Sequence, residues 1–279
     1  MPDPIDTASS NRPSKTLPKA LAWVARIGHF IIDRVWRLGC ATRFLISILW
    51  YSGATFSRAR LSLREIYFSG VLSLIIILIS GLFVGMVLGL QGYETLQRYG
   101  SSEALGTLVA LSLTRELGPV MAALLFAARG GTSITGEIAL MKTTEQLTAM
   151  DMMAVNPIGR IVAPRFWGGV LSMPFLAALF SAMGIFGSWL VGVVLIGVDD
   201  GAFWSQMQAS VNFRYDIVNG FIKSCVFGVA VSLIAVFEGY DSTPTAEGVS
   251  RAITRTVVTS SLVILALDFV LTSFMFRGS

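Results

Sequence analysis

The chain has 279 residues, of which 54% are hydrophobic and 14% charged, and its formal net charge is +4. Soluble domains carry about a quarter charged residues, so this composition excludes an ordinary soluble enzyme or binding module and predicts a membrane protein. The lysines and arginines border the apolar segments, as they do in loops that face anionic lipid, which argues against a nucleic-acid-binding surface.

Residues 1–19 are polar and lack the apolar core of a signal peptide, which predicts a disordered cytoplasmic tail. In residues 20–56, apolar side chains such as Leu21 and Val24 recur at helical spacing between arginines, a pattern typical of an amphipathic helix in the headgroup layer. The last part of this segment, residues 44–56, is too short to span a bilayer. A shallow or re-entrant segment is therefore favoured there over a sixth crossing.

Residues 57–279 contain five apolar stretches of about the 20 residues that a spanning helix needs. They lie between Glu65 and Glu94, from Ala104 to Ala128, from Phe166 to Val198, between Asp216 and Glu238, and between Arg255 and Arg277. We therefore predict an all-α membrane protein with about five transmembrane helices. The Gly118-Pro119 pair is expected to kink the second span. The third is long enough to tilt, to bend at Pro174 or to emerge from the lipid.

The charges of the loops predict the orientation of these spans. Lysine and arginine collect ahead of the first span and in the 129–165 connection, whereas the 199–216 connection contains mainly aspartate. Short cytoplasmic loops are enriched in lysine and arginine. The N-terminus and the 129–165 connection are therefore predicted to be cytoplasmic, and five crossings place the C-terminus outside.

The first span carries one small-residue face. Three glycines recur there at every fourth residue: Gly81, Gly85 and Gly89. This spacing predicts close packing against another helix. The other faces carry larger apolar residues, and Leu82, Met86 and Leu90 are candidates for lining an acyl-chain pocket.

Four charged residues fall inside the predicted spans: Arg115, Glu116, Lys223 and Asp268. Each costs about 2.5–3.5 kcal/mol at the centre of a spanning helix, so we expect them to face the bundle interior or a wet cavity and to pair with one another. Lys223 and Asp268 lie in successive spans, and antiparallel packing is expected to bring them together as a structural or a functional pair. Arg115 and Glu116 point about 100° apart and cannot satisfy each other, which leaves one of them for a ligand headgroup.

A polar, methionine-containing stretch separates the second and third spans. Thr143 and Gln146 have the spacing of a capping box, and Asn156-Pro157 ends the segment, which predicts a short cytoplasmic helix. The apolar side of this helix consists of Leu147, Met150, Met153 and Ala154. Such a side suits either the lipid surface or docking on a partner protein, because methionine adapts to different contact surfaces.

Several function classes remain open at this point. The sequence contains no G-x-x-x-x-G-K-[ST] phosphate loop and no hydrolase triad, so ATP-driven transport would need a separate ATPase chain. Cys40 and Cys225 lack metal-ligand spacing, and no metal site is expected. One alternative is a proton-coupled secondary carrier that uses an intramembrane network of Glu116, Lys223 and Asp268. Another is a scaffold that anchors partner proteins without moving a substrate.

Four stretches occur together in a specific order and spacing. They are SGLFVGMVLGLQGY (80–93), LTRELGPVMAALLFAARGGTSITGEIALMKTTEQLTAMDMMAVNP (113–157), PRFWGGVLSMP (164–174) and GYDSTPTAEGVSRAITRTVV (239–258). In this arrangement the chain resembles the MlaE-type permease family, the membrane subunits of bacterial ABC transporters that move phospholipids in association with MCE-domain proteins. The resemblance covers roughly residues 60–276.

The resemblance implies a permease domain over residues 57–279 that works in the bacterial inner membrane as a homodimer. The implied partners are two ATPase subunits, a STAS-domain regulator and a hexameric periplasmic MCE-domain protein. The chain itself would be a transport subunit without cofactor, since ATP and magnesium would bind to the ATPase. Its implied role is to move phospholipids between the inner membrane and the MCE-domain protein, which maintains the lipid asymmetry of the outer membrane.

The resemblance also implies roles for particular residues. The short cytoplasmic helix would be the coupling helix, which contacts the ATPase through Glu145, Gln146, Leu147, Met150, Asp151 and Met153. A polar network near the lipid headgroup would consist of Arg115, Glu116, Lys223 and Asp268. An acyl-chain cavity between the two permease copies would be lined by Leu82, Met86 and Leu90.

Overall fold

The computed structural model describes residues 19–56 and 65–275. These two ranges form helices and turns and contain no β-strand, so the predicted all-α fold is confirmed. The polar tail predicted for residues 1–19 lies, except for Lys19, outside the described residues.

The helices of the described residues are labelled in chain order. They are α1 (Lys19–Phe56), α2 (Leu72–Arg98), α3 (Ser102–Thr143), α4 (Gln146–Met152), α5 (Ile158–Leu195), α6 (Asp200–Ser210), α7 (Phe213–Tyr240) and α8 (Ala246–Met275). Five of them, α2, α3, α5, α7 and α8, are long and apolar enough to cross a membrane. The predicted number of transmembrane helices is therefore confirmed.

Two of the spanning helices are longer than their apolar stretches. α3 continues past Ala128 to Thr143, and α5 begins at Ile158, ahead of Phe166. Helices of 42 and 38 residues extend for roughly 60 Å at 1.5 Å per residue, whereas the hydrocarbon core is about 30 Å thick. Both helices therefore extend beyond the lipid on the side of α4. The end of an apolar stretch marks where the chain leaves the lipid, and the helix itself continues further.

Helix α1 is uninterrupted over its whole length. The described residues up to Arg43 belong to one compact unit and those from Phe44 onward to another. Within the second unit, Ile48 is fully buried and the ring of Phe44 lies 5.9 Å from that of Phe237. Residues 44–56 are part of this helix, and their shallow or re-entrant placement in the membrane stays a prediction. The location of α1 in the headgroup layer stays a prediction.

Helix α5 lies at the centre of the second unit. It packs against α2 along one side and against α7 along another, while α3 and α8 complete the packing around α7. The buried apolar residues form two clusters. One contains Phe126, Phe180 and Phe227, and the other contains Ile138 and Phe166 from the ends of α3 and α5 that flank α4.

The contact between α2 and α5 depends on the glycine face predicted for the first span. A Cβ atom on Gly85 would overlap backbone atoms of Gly184, and one on Gly81 would lie 2.8 Å from the carbonyl oxygen of Phe180. A Cβ atom on Gly89 would lie 3.0 Å from the Cα atom of Ser188. The two helix backbones are therefore in direct contact, and the prediction of close packing along this face is confirmed.

Replacing Gly85 by alanine is expected to destabilise the bundle, because the new methyl group meets backbone atoms of α5. Overpacking of this kind typically costs about 1–3 kcal/mol. Gly136→Ala is the matched control, since its methyl group would meet only the end of the Ile253 side chain, 3.4 Å away. Thermal unfolding of the purified variants in detergent should show a lower Tm for Gly85→Ala alone. Equal Tm values would contradict the direct backbone contact.

Candidate functional site

A fully buried lysine joins three of the spanning helices. The Nζ atom of Lys223, in α7, donates hydrogen bonds to Asp268 Oδ1 at 3.1 Å and to Thr272 Oγ1 at 2.7 Å, both in α8. It also donates to the carbonyl oxygen of Arg115, in α3, at 3.1 Å. Three acceptors suit the three N–H donors of an ammonium group. The predicted pairing of Lys223 with Asp268 is therefore confirmed.

The carbonyl group of Arg115 can accept this bond because of the following proline. Pro119 lies four residues later in α3 and has no N–H group to donate to that carbonyl. The helix also widens into a π-helical turn at Leu113–Leu117, directly before the Gly118-Pro119 pair. The pair expected to kink the span thus leaves a backbone acceptor for Lys223 in the middle of the membrane region.

The side chain of Arg115 pairs with a residue at the start of α7. Its Nε atom donates to Asp216 Oδ1 at 2.7 Å. Asp216 is fully buried, and its other carboxylate oxygen accepts the backbone N–H of Asn212 at 2.7 Å. The Arg115 side chain is 37% exposed, so the guanidinium group extends from a buried carboxylate to the surface of the chain.

Glu116 lies apart from this network. Its side chain is exposed and makes no hydrogen bond or ion pair with the residues described in 19–56 and 65–275. Because successive residues of a helix point about 100° apart, the contact between Arg115 and Asp216 turns Glu116 away from the interior of the chain. The expectation that all four charges pair with one another is therefore wrong for Glu116, and the side chain of Arg115 pairs with Asp216, which was not one of the four.

The residues predicted for the acyl-chain cavity lie beside the glycine face of α2. Leu82 and Met86 are half-buried, because the backbone of α2 at these positions meets Gly187 of α5. Leu90 is 48% exposed. These three side chains thus form a partly exposed apolar strip on the outside of the single chain.

The short helix α4 does not start at the predicted capping box. Thr143 ends α3, and its hydroxyl group donates back to the carbonyl oxygen of Ala139 at 2.9 Å. The capping-box prediction is wrong because the polar extension of α3 continues through Thr143. Instead, Glu145 (φ 57°) precedes α4 and Ala154 (φ 58°) follows it. Both take the left-handed conformation that non-glycine residues rarely adopt, so two backbone reversals delimit α4.

The exposed side of α4 differs in part from the predicted one. Leu147 is buried in the chain itself, with 6% exposure, whereas Met152 and Met153 are 85% and 67% exposed. The exposed or half-exposed members of the predicted contact set are Glu145, Gln146, Met150, Asp151 and Met153. A partner protein that contacts α4 would therefore meet methionine and acidic side chains, and Leu147 would hold the helix to its own bundle.

A lysine contact connects the α4 region to the end of α7. Lys142, near the end of α3, donates from Nζ to the carbonyl oxygen of Tyr240 at 2.6 Å, and Nζ lies 5.7 Å from the centre of the Tyr240 ring. The ring of Tyr240 also packs on Phe44, with centroids 5.4 Å apart. The last residue of α7 is thereby attached to the segment that leads into α4.

A second ionic contact joins the two helices that flank α4. Arg165 of α5 is buried and donates to Glu137 Oε2 of α3 from Nη2 at 3.0 Å and from Nε at 3.3 Å. Its Nε atom also lies 3.9 Å from Glu65 Oε2. Two N–H groups of Arg165 thus bind one carboxylate oxygen of Glu137. This contact holds together the end of α3 that precedes α4 and the start of α5 that follows it.

Several participants in these contacts were not predicted from the sequence, among them Thr272, Asp216, Glu137 and Tyr240. Asp216 was treated only as the acidic boundary of the fourth span, although an arginine inside a span calls for a buried carboxylate. Glu137 and Tyr240 carried no distinguishing pattern, because their partners are distant in the sequence. Only Asp216 could have been found, as an acid at the end of a span that neighbours Arg115.

Comparisons with known proteins identify the family of the chain. The family model described as Permease MlaE matches residues 62–274, which include α4 and all five spanning helices except the last residue of α8. The chain belongs to the MlaE permease family. The match to the MlaE permease family begins after α1, so α1 lies outside the part of the chain that defines the family.

Relatives of the chain come from bacteria and a plant. The chain is 55% identical over 254 residues to the intermembrane phospholipid transport system permease protein MlaE of Haemophilus influenzae, covering 91% of this chain and 97% of that protein. It is 38% identical to a probable ABC transporter permease protein of Rickettsia typhi, covering 78% and 83% of the two chains. A chloroplastic protein of Arabidopsis thaliana, TRIGALACTOSYLDIACYLGLYCEROL 1, is 31% identical over 79% of this chain and 63% of its own length.

Replacing one member of the Lys223–Asp268 pair should lower the free energy of unfolding far more than replacing both. Asp268→Asn removes the carboxylate that accepts a hydrogen bond from Lys223 and should cost about 3–5 kcal/mol, whereas Lys223→Met combined with Asp268→Leu should be close to neutral. Chemical unfolding of the purified variants in detergent measures this difference.

The exposed pair of Arg251 and Glu247 in α8 provides the control for this comparison. Arg251→Met should change the free energy of unfolding by less than about 1 kcal/mol. If the double variant of Lys223 and Asp268 were as unstable as Asp268→Asn, an unbalanced charge would not explain the instability of Asp268→Asn.

Proposed function

We propose that this chain is the permease subunit of an ABC transporter that moves phospholipids between the bacterial inner membrane and a periplasmic MCE-domain protein. Two copies act with two ATPase subunits, which bind ATP and magnesium, and with a STAS-domain regulator and a hexameric MCE ring. The N-terminus is cytoplasmic, the C-terminus is periplasmic, and the transport maintains outer-membrane lipid asymmetry. The observation that carries this proposal is the 55% identity to the Haemophilus influenzae phospholipid transport permease over 91% of the chain.

The surface of α4 supports its role as the coupling helix. The exposed apolar residues at its end, Met152 and Met153, follow the acidic Asp151, and the acidic Glu145 lies at its start. Methionine fits irregular contact surfaces, and the acidic groups suit a groove with basic side chains. An ATPase groove with an apolar floor and basic rim would therefore accept this helix.

Helix α7 offers a mechanical connection from α4 to the charged network. Lys142 holds Tyr240 at one end of α7, and Lys223 lies 17 residues earlier in the same helix. At 1.5 Å per residue this separation is about 25 Å. A push on α4 that displaces the Tyr240 end would move Lys223 against Asp268 in α8. Closure of the ATPase dimer would act on the membrane region through this helix.

The chemistry of the cargo requires apolar cover throughout the transport path. Transfer of two acyl chains into water would cost on the order of 20 kcal/mol at about 0.8 kcal/mol per CH₂ group. Leu82, Met86 and Leu90 supply an apolar strip on α2 that a second copy would enclose. Glu116 and the exposed part of Arg115 supply charged groups for the headgroup at the same level of α3.

The alternative of a proton-coupled secondary carrier receives less support. A relay through Glu116, Lys223 and Asp268 needs these groups to be in contact or to be bridged by water. Within the described part of the chain, Lys223 and Asp268 are in contact but Glu116 is directed elsewhere. Transport by the isolated chain under a pH gradient, without ATP, would favour this alternative.

Replacing both exposed methionines of the α4 surface should uncouple the permease from its ATPase. In Met152→Glu/Met153→Glu, two charged groups replace apolar contacts on a surface that already carries Glu145 and Asp151. We expect loss of ATPase co-purification and of lipid-stimulated ATP hydrolysis in the reconstituted complex. The fold should persist, because both side chains are exposed.

Two further variants make this test specific. Phe213→Glu places the same charge on a residue that is 71% exposed at the opposite end of the bundle and should leave co-purification intact. Met152→Leu/Met153→Leu should preserve most of the coupling. A substitution of Leu147 would not test this surface, since Leu147 is buried in its own chain. Full co-purification and stimulation in the double glutamate variant would refute docking through α4.

A further inference from the structure

A cavity of about 270 Å³ opens at the surface of the bundle where α3, α5 and α7 meet. Its wall consists mainly of small residues, prolines and one aromatic ring, among them Pro119, Pro174, Ala178, Ala182, Gly220 and Phe221. All three helices are spanning helices. None of the three α2 residues assigned to the chamber between permease copies lines this cavity. It is therefore a separate apolar feature within one chain.

The backbone contacts beside the cavity give it a fixed shape. A Cβ atom on Gly220 of α7 would overlap the carbonyl oxygen of Thr114 in α3. A Cβ atom on Gly118 of α3 would overlap the Ser181 side chain of α5. Both α5 and α7 thus touch α3 at close range next to the opening. The space between α5 and α7 is bounded by helices that cannot approach further.

The lining of the cavity suits an apolar occupant. It contains no charged residue, and each of its three hydroxyl groups already donates to a backbone carbonyl. Thr114 donates to Ala110 at 2.7 Å and Ser224 to Phe221 at 2.7 Å. Ser181 donates to the carbonyl of Leu113 at 3.3 Å. A polar ligand would lose its hydrogen bonds to water here without finding free donors, whereas a hydrocarbon chain has no such hydrogen bonds to lose.

The volume also matches a hydrocarbon chain. An apolar cavity of about 150 Å³ takes up benzene, so 270 Å³ accommodates roughly ten to twelve carbon atoms on the same scale. An α-helix with its side chains is about 10–12 Å wide. A helix from a partner could cover the opening but could not enter it, and an acyl chain from the surrounding bilayer is narrow enough to do so.

One end of the cavity lies at the start of α7, because Ile217 belongs to its lining. Arg115 and Asp216, which form the ion pair described above, are not among the lining residues.

We propose that this cavity binds one acyl chain of a bilayer phospholipid. This lipid enters from the surrounding bilayer and is distinct from one held between two permease copies. The inference goes beyond the proposed function, because it requires only that the bundle is embedded in lipid. If the 199–216 connection is periplasmic, as its charges predict, the cavity opens toward the outer leaflet of the inner membrane.

Photo-crosslinking of the complete transporter in nanodiscs tests this proposal. The nanodiscs contain phosphatidylethanolamine and phosphatidylglycerol, with a small fraction of phosphatidylethanolamine that carries a diazirine at the end of one acyl chain. We expect the labelled residues to concentrate in 174–185 and 217–224. Ala182→Trp should lower this labelling several-fold, because the indole ring fills the cavity from an exposed position.

The control lies on the same helix at nearly the same depth. Leu179 is 40% exposed on α5 and does not line the cavity, so Leu179→Trp should leave the labelling unchanged. Uniform labelling of the lipid-facing helices, or an equal effect of the two variants, would overturn the proposal. A benzoylphenylalanine at position 182 that crosslinks to a partner polypeptide instead of lipid would also overturn it.

A separate measurement distinguishes this proposal from the proposed function. ATP-dependent transfer of phospholipid by the same wild-type nanodiscs tests transport, independently of where the diazirine reacts. Localised labelling without transfer would support the cavity and refute the transport function. Transfer with uniform labelling would support the function and refute the cavity.

Discussion

Every charged or hydrogen-bonding group inside a bilayer needs a partner within the protein, because hydrocarbon offers none. In this chain that requirement organises the contact of α3, α7 and α8. The ammonium group of Lys223 is surrounded by a carboxylate, a hydroxyl group and the carbonyl that Pro119 leaves without a helical donor. Pro119 has no N–H group for the carbonyl of Arg115, and this carbonyl instead accepts a hydrogen bond from Lys223 on another helix.

Close packing of helix backbones is the second requirement, and it follows from the weakness of the hydrophobic effect between helices in lipid. Glycines allow α2 to touch α5 and allow α7 to touch α3. Where the helices touch, their relative positions are fixed. Beside the contact of Gly220 with α3, the surface keeps an apolar cavity. The same small residues thus produce both the rigid contacts and the space beside them.

The structure connects the two parts of the proposed machine through α7. One end of this helix is attached to Lys142 close to α4, and its interior carries Lys223. The pair of Arg165 and Glu137 joins α3 and α5 on either side of α4. Helix α4 is bounded by two left-handed residues, and the buried Leu147 attaches it to the bundle. A force applied to its exposed methionines would be passed to the helices rather than absorbed by a loop.

The amino-acid sequence by itself determined the five spans, the glycine face of α2 and the pairing of Lys223 with Asp268, because hydropathy, residue spacing and the cost of an unpaired charge in lipid are local or nearly local properties. Tertiary structure alone decided that α3 and α5 continue beyond the lipid, that Leu147 faces inward, that Glu116 faces outward and that Arg115 pairs with Asp216. Each of these depends on which surface of a neighbouring helix is in contact. A one-dimensional pattern identifies the residues that need a partner in the membrane, and only the packed bundle determines which partner each of them meets.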